Sequence, residues 1–165
     1  MLIRIAQEAD LKDIINIYNS TIASRKVTAD LKPVTVEERL DWFQAHQKPH
    51  RPMLVCCNTD NQILAWGTFS DYYARAAYDI TAEISIYVSE TQRGQKLGQT
   101  MLQYMLDIAP SLNIKNVVAV IFGHNTPSLA LFKKFGFAQW GLLPRVCELD
   151  DIEADIVLLG KRLMV

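Results

Sequence analysis

Residues Glu83 to Gly98 constrain this chain more than any other stretch; they read Glu-Ile-Ser-Ile-Tyr-Val-Ser-Glu-Thr-Gln-Arg-Gly-Gln-Lys-Leu-Gly. Ile84, Ile86 and Val88 alternate with Glu83, Ser85 and Tyr87, the period of two that sends the sets to opposite faces of a strand. A polar turn bearing Gly94 follows, and an apolar stripe at helical spacing begins at Leu97. Strand, turn and helix start in that order leave unpaired backbone N–H groups at the positive end of a helix dipole. Arg93 adds a full charge at the mouth. Such a cradle suits an anion, and a diphosphate fits it. Neither G-x-x-x-x-G-K-[ST] nor G-x-G-x-x-G occurs, so two common phosphate loops are excluded.

The rest of the composition narrows the class. A chain of 165 residues, half of them hydrophobic, is expected to form one domain over 1–165 with a sizeable core. The formal net charge of −1 gives no footprint for nucleic acid or for a membrane surface. No apolar run approaches the roughly 18 residues that span a bilayer. Arg4, Gln7, Glu8 and Asp10 break up the N-terminal apolar residues, against a signal peptide. Cys56, Cys57 and Cys147 are odd in number and lack metal-ligand spacing, so reduced thiols in the cytoplasm are expected. His46 and His50 stand four apart, but Pro49 breaks the helix between them, and no metal site is expected.

In chain order, Leu2 to Ile5 reads as a strand, and Asp10 as the cap of a helix with Leu11, Ile14, Ile15, Tyr18 and Ile22 on its apolar face. Residues 24–34 are irregular and polar. Thr35 and Glu38 form a capping box for a helix to about Gln47, with Leu40, Trp42 and Phe43 inward. Met53 to Cys57 and Ile63 to Phe69 make a hairpin, and an aromatic loop from Ser70 to Asp79 carries Tyr72, Tyr73, Arg75 and Tyr78. The Glu83 strand and the Leu97 helix follow. Val117 to Phe122 has the continuous apolar character of a central strand. Thr126 as cap and Pro127 start a helix that Gly136 stops, and Phe137 to Leu143 and Ile152 to Leu163 close the sheet. The expected class is α/β or α+β: a mixed, mostly antiparallel central sheet with helices on both faces.

Several motifs agree with one family. Arg93, Gly98 and the residues between them resemble motif A of the GNAT acetyl-CoA-dependent N-acetyltransferases, [QR]-x-x-G-x-[GA], with Lys96 where the middle glycine is usual. Tyr78 to Val88 is similar to the Y-x-x-T-x-E-x-S-V-Y-V signature of the phosphinothricin N-acetyltransferase branch. Asn125-Thr126-Pro127-Ser128 followed by Phe135-Gly136-Phe137 resembles that branch's N-x-x-S-…-G-F, and Ile17-Tyr18-Asn19 and Glu38 to Phe43 agree with its N-terminal half. Ser24-Arg25-Lys26 departs from the Thr-Phe pair of many relatives. The resemblance covers the whole chain and implies a homodimer that acetylates the α-amine of a small amino acid-like substrate, such as phosphinothricin, methionine sulfoximine or methionine sulfone. A polyamine, a protein N-terminus, or CoA binding without turnover stay open.

The resemblance also implies roles. Glu83 is the expected general base, against the alternative that it orients a water or caps the loop. Arg93, Gly94, Gln95, Lys96, Leu97, Gly98 and Gln99 would hold the diphosphate of acetyl-CoA, although a turn Arg is often only a surface charge. Ile86, Tyr87 and Val88 would pair through main chain with the pantetheine arm where the family's central strands splay. Asn125 is either a contact of that arm or a helix cap. Arg75 and Tyr78 are candidates for the substrate's acidic group, against a solvated loop. Phe132 stands where many relatives carry an acidic Tyr, which leaves His124 or water to protonate the departing thiolate, if anything must.

Overall fold

The computed structural model describes residues 1–163; the last two positions of the expected 1–165 domain lie outside the described residues. In order, the elements are β1 Leu2–Ile5, α1 Leu11–Ser20, α2 Val36–Ala45, β2 Met53–Cys57, β3 Ile63–Asp71, β4 Thr81–Val88, α3 Leu97–Ile108, β5 Asn116–Phe122, α4 Thr126–Lys134, β6 Ala138–Leu149 and β7 Ile152–Arg162. The strands form one sheet in the order β1-β2-β3-β4-β5-β7-β6. Every neighbouring pair is antiparallel except β4 and β5. The mixed, mostly antiparallel sheet with helices on both faces is as expected.

Alternation along the inner strands builds two cores. Cys56, Phe69, Ile84 and Val117 face α3 and α4, where Met101, Met105 and Phe132 meet them. Val55, Cys57 and Trp66 face α1 and α2, where they pack on Ile14, Ile15 and Phe43. Adjacent Cys56 and Cys57 thus serve opposite faces, as successive residues of a strand must. Gly67 lets α3 approach closely, since a Cβ there would lie 2.8 Å from the Met105 sulfur and 3.0 Å from the Ser85 carbonyl oxygen. Among the described residues no helix is long and apolar enough to cross a membrane.

Some local expectations are corrected. Asp10 does not cap α1 with its side chain; it binds the Arg4 guanidinium at 2.7 and 3.0 Å and accepts the Gln7 N–H at 2.7 Å. Those donors hold its carboxyl below the usual range, the Arg4 hydrogen bond most of all. Ile22 is buried beyond the end of α1 rather than on it. The capping box of α2 forms, yet of its three inward candidates only Phe43 is fully buried, and Leu40 is exposed. Asn125, not Thr126, caps α4, its Oδ1 accepting the Ser128 N–H at 3.3 Å. A one-residue shift of this kind follows from Asn and Thr both being good caps.

The functionally decisive feature is a divergence. β4 and β5 pair only at Thr81–Asn116, Ala82–Val117 and Glu83–Val118. From Ile84 to Val88 and from Ala119 to Phe122 the two strands run on without each other, as the resemblance implied. Glu83 closes the paired part.

Candidate functional site

A groove of about 480 Å³ opens beyond that divergence. Ile86, Tyr87 and Val88 of β4 form one wall, and Asn125, Pro127, Ser128, Leu131 and Phe132 of the α4 region another. At its mouth lie Arg93, Gly94, Lys96, Leu97, Gly98 and Gln99, so the strand, the turn and the helix start converge as expected. Gln95 does not line the groove; it is exposed, and its side-chain amide donates to Gln92 Oε1 at 2.8 Å. Thr21, Lys26 and Val27 do line it, and their sequence offered no sign of this. They sit in the irregular segment after α1. A hydrogen bond from His124 Nε2 to the Arg25 carbonyl at 2.7 Å and an ion pair of Arg25 with Asp150 at 2.8 Å hold that segment down. His124 stacks on Phe122 and lies outside the groove, so it is not placed to protonate a leaving group there.

The mouth is an N-terminal helix site. No side chain caps α3, which leaves the first-turn N–H groups without an intramolecular cap. Lys96, at the cap position, has φ of +59°, a left-handed conformation that suits glycine. That accounts for the glycine common at this motif position. Gly94 also has positive φ, +82°, with open space around it. Gly98 is different: a Cβ there would stand 3.2 Å from a Leu131 methyl, so its smallness brings α3 against α4. Replacing Lys96 by Gly is expected to relieve left-handed strain of about 1 kcal/mol, set against greater unfolded-chain freedom. Thermal stability should therefore change little, and removing an ammonium from the groove mouth should weaken the binding of an anion there a few-fold; paired melting and calorimetric titrations check both. Arg93 pairs with Glu90 at 2.6 Å while remaining 56% exposed, so its guanidinium is available at the rim.

Glu83 lies at the fork, facing Ser70 of β3 in the antiparallel register. It is half-buried and makes no hydrogen bond or ion pair with any described residue, and burial alone pushes its carboxyl up. An unpaired, partly desolvated carboxylate next to a groove is a candidate proton acceptor. Beside it the aromatic loop gathers Tyr72, Tyr73 and Tyr78, with ring centroids 4.7, 5.1 and 6.3 Å apart. Burial chiefly, and then the charges of Tyr73 and Glu83, raise the Tyr72 hydroxyl. Tyr87 stacks on Trp66 at 4.4 Å, and its hydroxyl is pushed up by burial first and by Glu83 among other charges. Arg75 and Tyr78 are exposed and do not line the groove; their loop stands on the Glu83 side, and the Arg75 side chain has no partner among the described residues. The described residues contain no cluster of three or more His, Cys, Asp or Glu side chains suited to a metal.

Comparison with known proteins fits this geometry. The Acetyltransferase (GNAT) family model matches residues 12–137. A Bacillus subtilis protein described as "Putative phosphinothricin acetyltransferase YwnH" is 48% identical over 163 residues, covering 99% of each chain. The L-methionine sulfoximine/L-methionine sulfone acetyltransferase of Pseudomonas paraeruginosa is 31% identical over 144 residues, 87% of this chain and 84% of that one. Among solved structures, a phosphinothricin acetyltransferase from Sinorhizobium meliloti in complex with acetyl-CoA superposes with a TM-score of 0.92 at 25% identity, covering 98% of this chain and 88% of that one. The chain belongs to the GNAT acetyltransferase family. It is an acetyl-CoA-dependent N-acetyltransferase, with acetyl-CoA as cosubstrate.

Proposed function

We propose that this enzyme acetylates the α-amine of a small amino acid-like compound of the phosphinothricin, methionine sulfoximine or methionine sulfone kind, as the names of its relatives suggest. In this reading the whole chain is one catalytic domain. The α3 N-terminus with Arg93 and Lys96 holds the diphosphate, and the free β4 edge at Ile86–Val88 pairs with the pantetheine arm. Asn125 lines the groove while capping α4, so the two sequence readings of it are compatible. Glu83 takes a proton from the substrate ammonium, and the neutral amine then attacks the thioester carbonyl directly; the C–S bond breaks, CoA leaves as the thiolate, and the nitrogen gives up its second proton to that thiolate through solvent. No acyl-enzyme is invoked, because Cys56 and Cys57 are buried and their thiols are pushed up by burial. Arg75 and Tyr78 meet the acceptor's acidic end from the loop.

The single observation that carries this reading is the unpaired, half-buried Glu83 at the fork where β4 leaves β5. A panel of amines with acetyl-CoA and a thiol-release readout tests it. Small amino acid analogues should turn over; polyamines or peptides turning over instead would overturn the substrate class, and release with no amine would overturn the reading altogether.

A homodimer and a cytoplasmic setting, in keeping with three free thiols, are part of the same proposal. Of the apolar C-terminal residues Val157, Leu158, Leu159 and Leu163, which the sequence offers as part of an interface, only Leu158 is partly exposed; the other three are buried in the chain's own core. Edge strand β6 instead exposes Trp140, Leu142, Leu143 and Val146. Apolar exposure of this kind on an edge fits a second copy. Sedimentation at micromolar concentration is expected to show a dimer that Leu142→Glu converts to monomer; a wild-type monomer would remove the proposal.

A further inference from the structure

Arg51 is among the few buried charged residues, 3% exposed, and it lies outside the groove. Just before β2, it reaches both ends of the aromatic loop. Its Nε stands 2.9 Å from Asp71 Oδ1, where β3 ends and the loop begins. Its Nη2 donates to the Asp79 backbone carbonyl at 2.7 Å, where the loop returns toward β4. Nη1 is held by the His50 carbonyl at 2.9 Å. The same turn adds Lys48 to Asp71 at 3.3 Å and His46 to the Ser70 hydroxyl at 3.1 Å. Between the two anchor points lie Tyr72, Tyr73, Arg75 and Tyr78, otherwise mostly exposed.

A buried guanidinium costs desolvation that a surface residue avoids. Here one guanidinium joins the two ends of the loop, by charge at Asp71 Oδ1 and by a hydrogen bond at the Asp79 carbonyl, and its planar shape meets two such partners at once better than a point-charge ammonium does. We propose that Arg51 is a positioning residue for the amine pocket: by pinning Asp71 and Asp79 it fixes the tyrosine loop beside Glu83 and thereby sets how tightly the acceptor amine is held. The inference rests on the proposed function for the identity of that ligand. The cosubstrate side is spared, because the groove lies beyond the β4–β5 fork and none of these contacts reaches it.

The test compares wild type with Arg51→Met, which removes the fork but fills its space, and with Asp71→Asn, which weakens one anchor only. Arg51→Met should raise the KM for the amine by roughly tenfold or more, as loss of positioning does. Its KM for acetyl-CoA should stay within about twofold and the acid limb of its pH profile should not move. Asp71→Asn should fall between Arg51→Met and wild type. Hydrogen exchange read without substrate should show loss of protection at the Tyr78 and Asp79 amides in Arg51→Met. Amine and acetyl-CoA KM rising together would mark a merely structural residue and overturn the inference, as would unchanged exchange or an unchanged amine KM. If Arg51→Met does not fold, Asp71→Asn with unchanged amine KM and unchanged exchange overturns it. Wild-type protein that acetylates no amine sinks the proposed function instead, and the exchange measurement still decides whether Arg51 pins the loop.

Discussion

Glu83→Gln is expected to lower turnover by about 10²–10⁴-fold, the range of a general-base contribution. Affinity for acetyl-CoA should stay near the wild-type value, because Glu83 is not among the residues that line the groove. Gln keeps the shape and volume of the side chain and removes only the basic form. The same substitution separates a chemical from a structural role through stability. Burial raises the folded-state pKa of Glu83, so the native state holds that proton more tightly than the unfolded chain does. The stability this gives is fully present below the unfolded pKa and is lost as pH rises through the raised folded value. At neutral pH the ionised Glu83 therefore weighs against folding, and Glu83→Gln should melt no lower than wild type there. A lower melting temperature with rate and cofactor affinity falling together would point to a structural Glu83.

Arg93→Glu should weaken acetyl-CoA binding by roughly 10- to 100-fold, the scale of lost charge-assisted contacts to phosphate. The new carboxylate would stand beside Glu90, now without its partner, and at the positive end of α3. Added salt should narrow the gap between the two proteins, since an exposed charge is screened. Stability should barely change, because an exposed pair three residues apart contributes at most about 1 kcal/mol. The amine-dependent pH profile should keep its shape. Calorimetric titration with acetyl-CoA decides the matter, and equal affinity in wild type and Arg93→Glu would remove the diphosphate assignment.

Much of the donor side was legible because it rests on local rules. Alternation places Glu83 and Tyr87 on one face of β4 and Ile84 on the other, and the glycine-bearing turn before an apolar stripe marks the helix start to the residue. Met53–Cys57 is readable as an unbroken apolar run before the polar turn at 58–62, and every one of its residues is buried. The fork between β4 and β5 was not readable from side chains, since Ile86 and Val88 look alike whether a neighbouring strand or a ligand covers them; family resemblance supplied it. Thr21, Lys26 and Val27 escaped notice because an irregular segment has no period, and its place is set by contacts as distant in sequence as Arg25 with Asp150. Gln95 shares the motif stretch of its neighbours, but a turn residue is free to point away, and its side chain turns to Gln92. Arg51 carried no motif, and its weight comes entirely from meeting Asp71 and Asp79 in three dimensions.

The role of Glu83 is decided by kcat/KM for the amine against pH, taken on wild type and Glu83→Gln side by side. Wild type should show an acid limb, where the rate falls as Glu83 is protonated, lying above the ordinary glutamate range because burial raises this group. Glu83→Gln should lose that limb and recover part of its rate as rising pH supplies neutral amine from solution. An identical limb in both proteins, or near-wild-type turnover by Glu83→Gln at neutral pH, would contradict the assignment of Glu83 as the base.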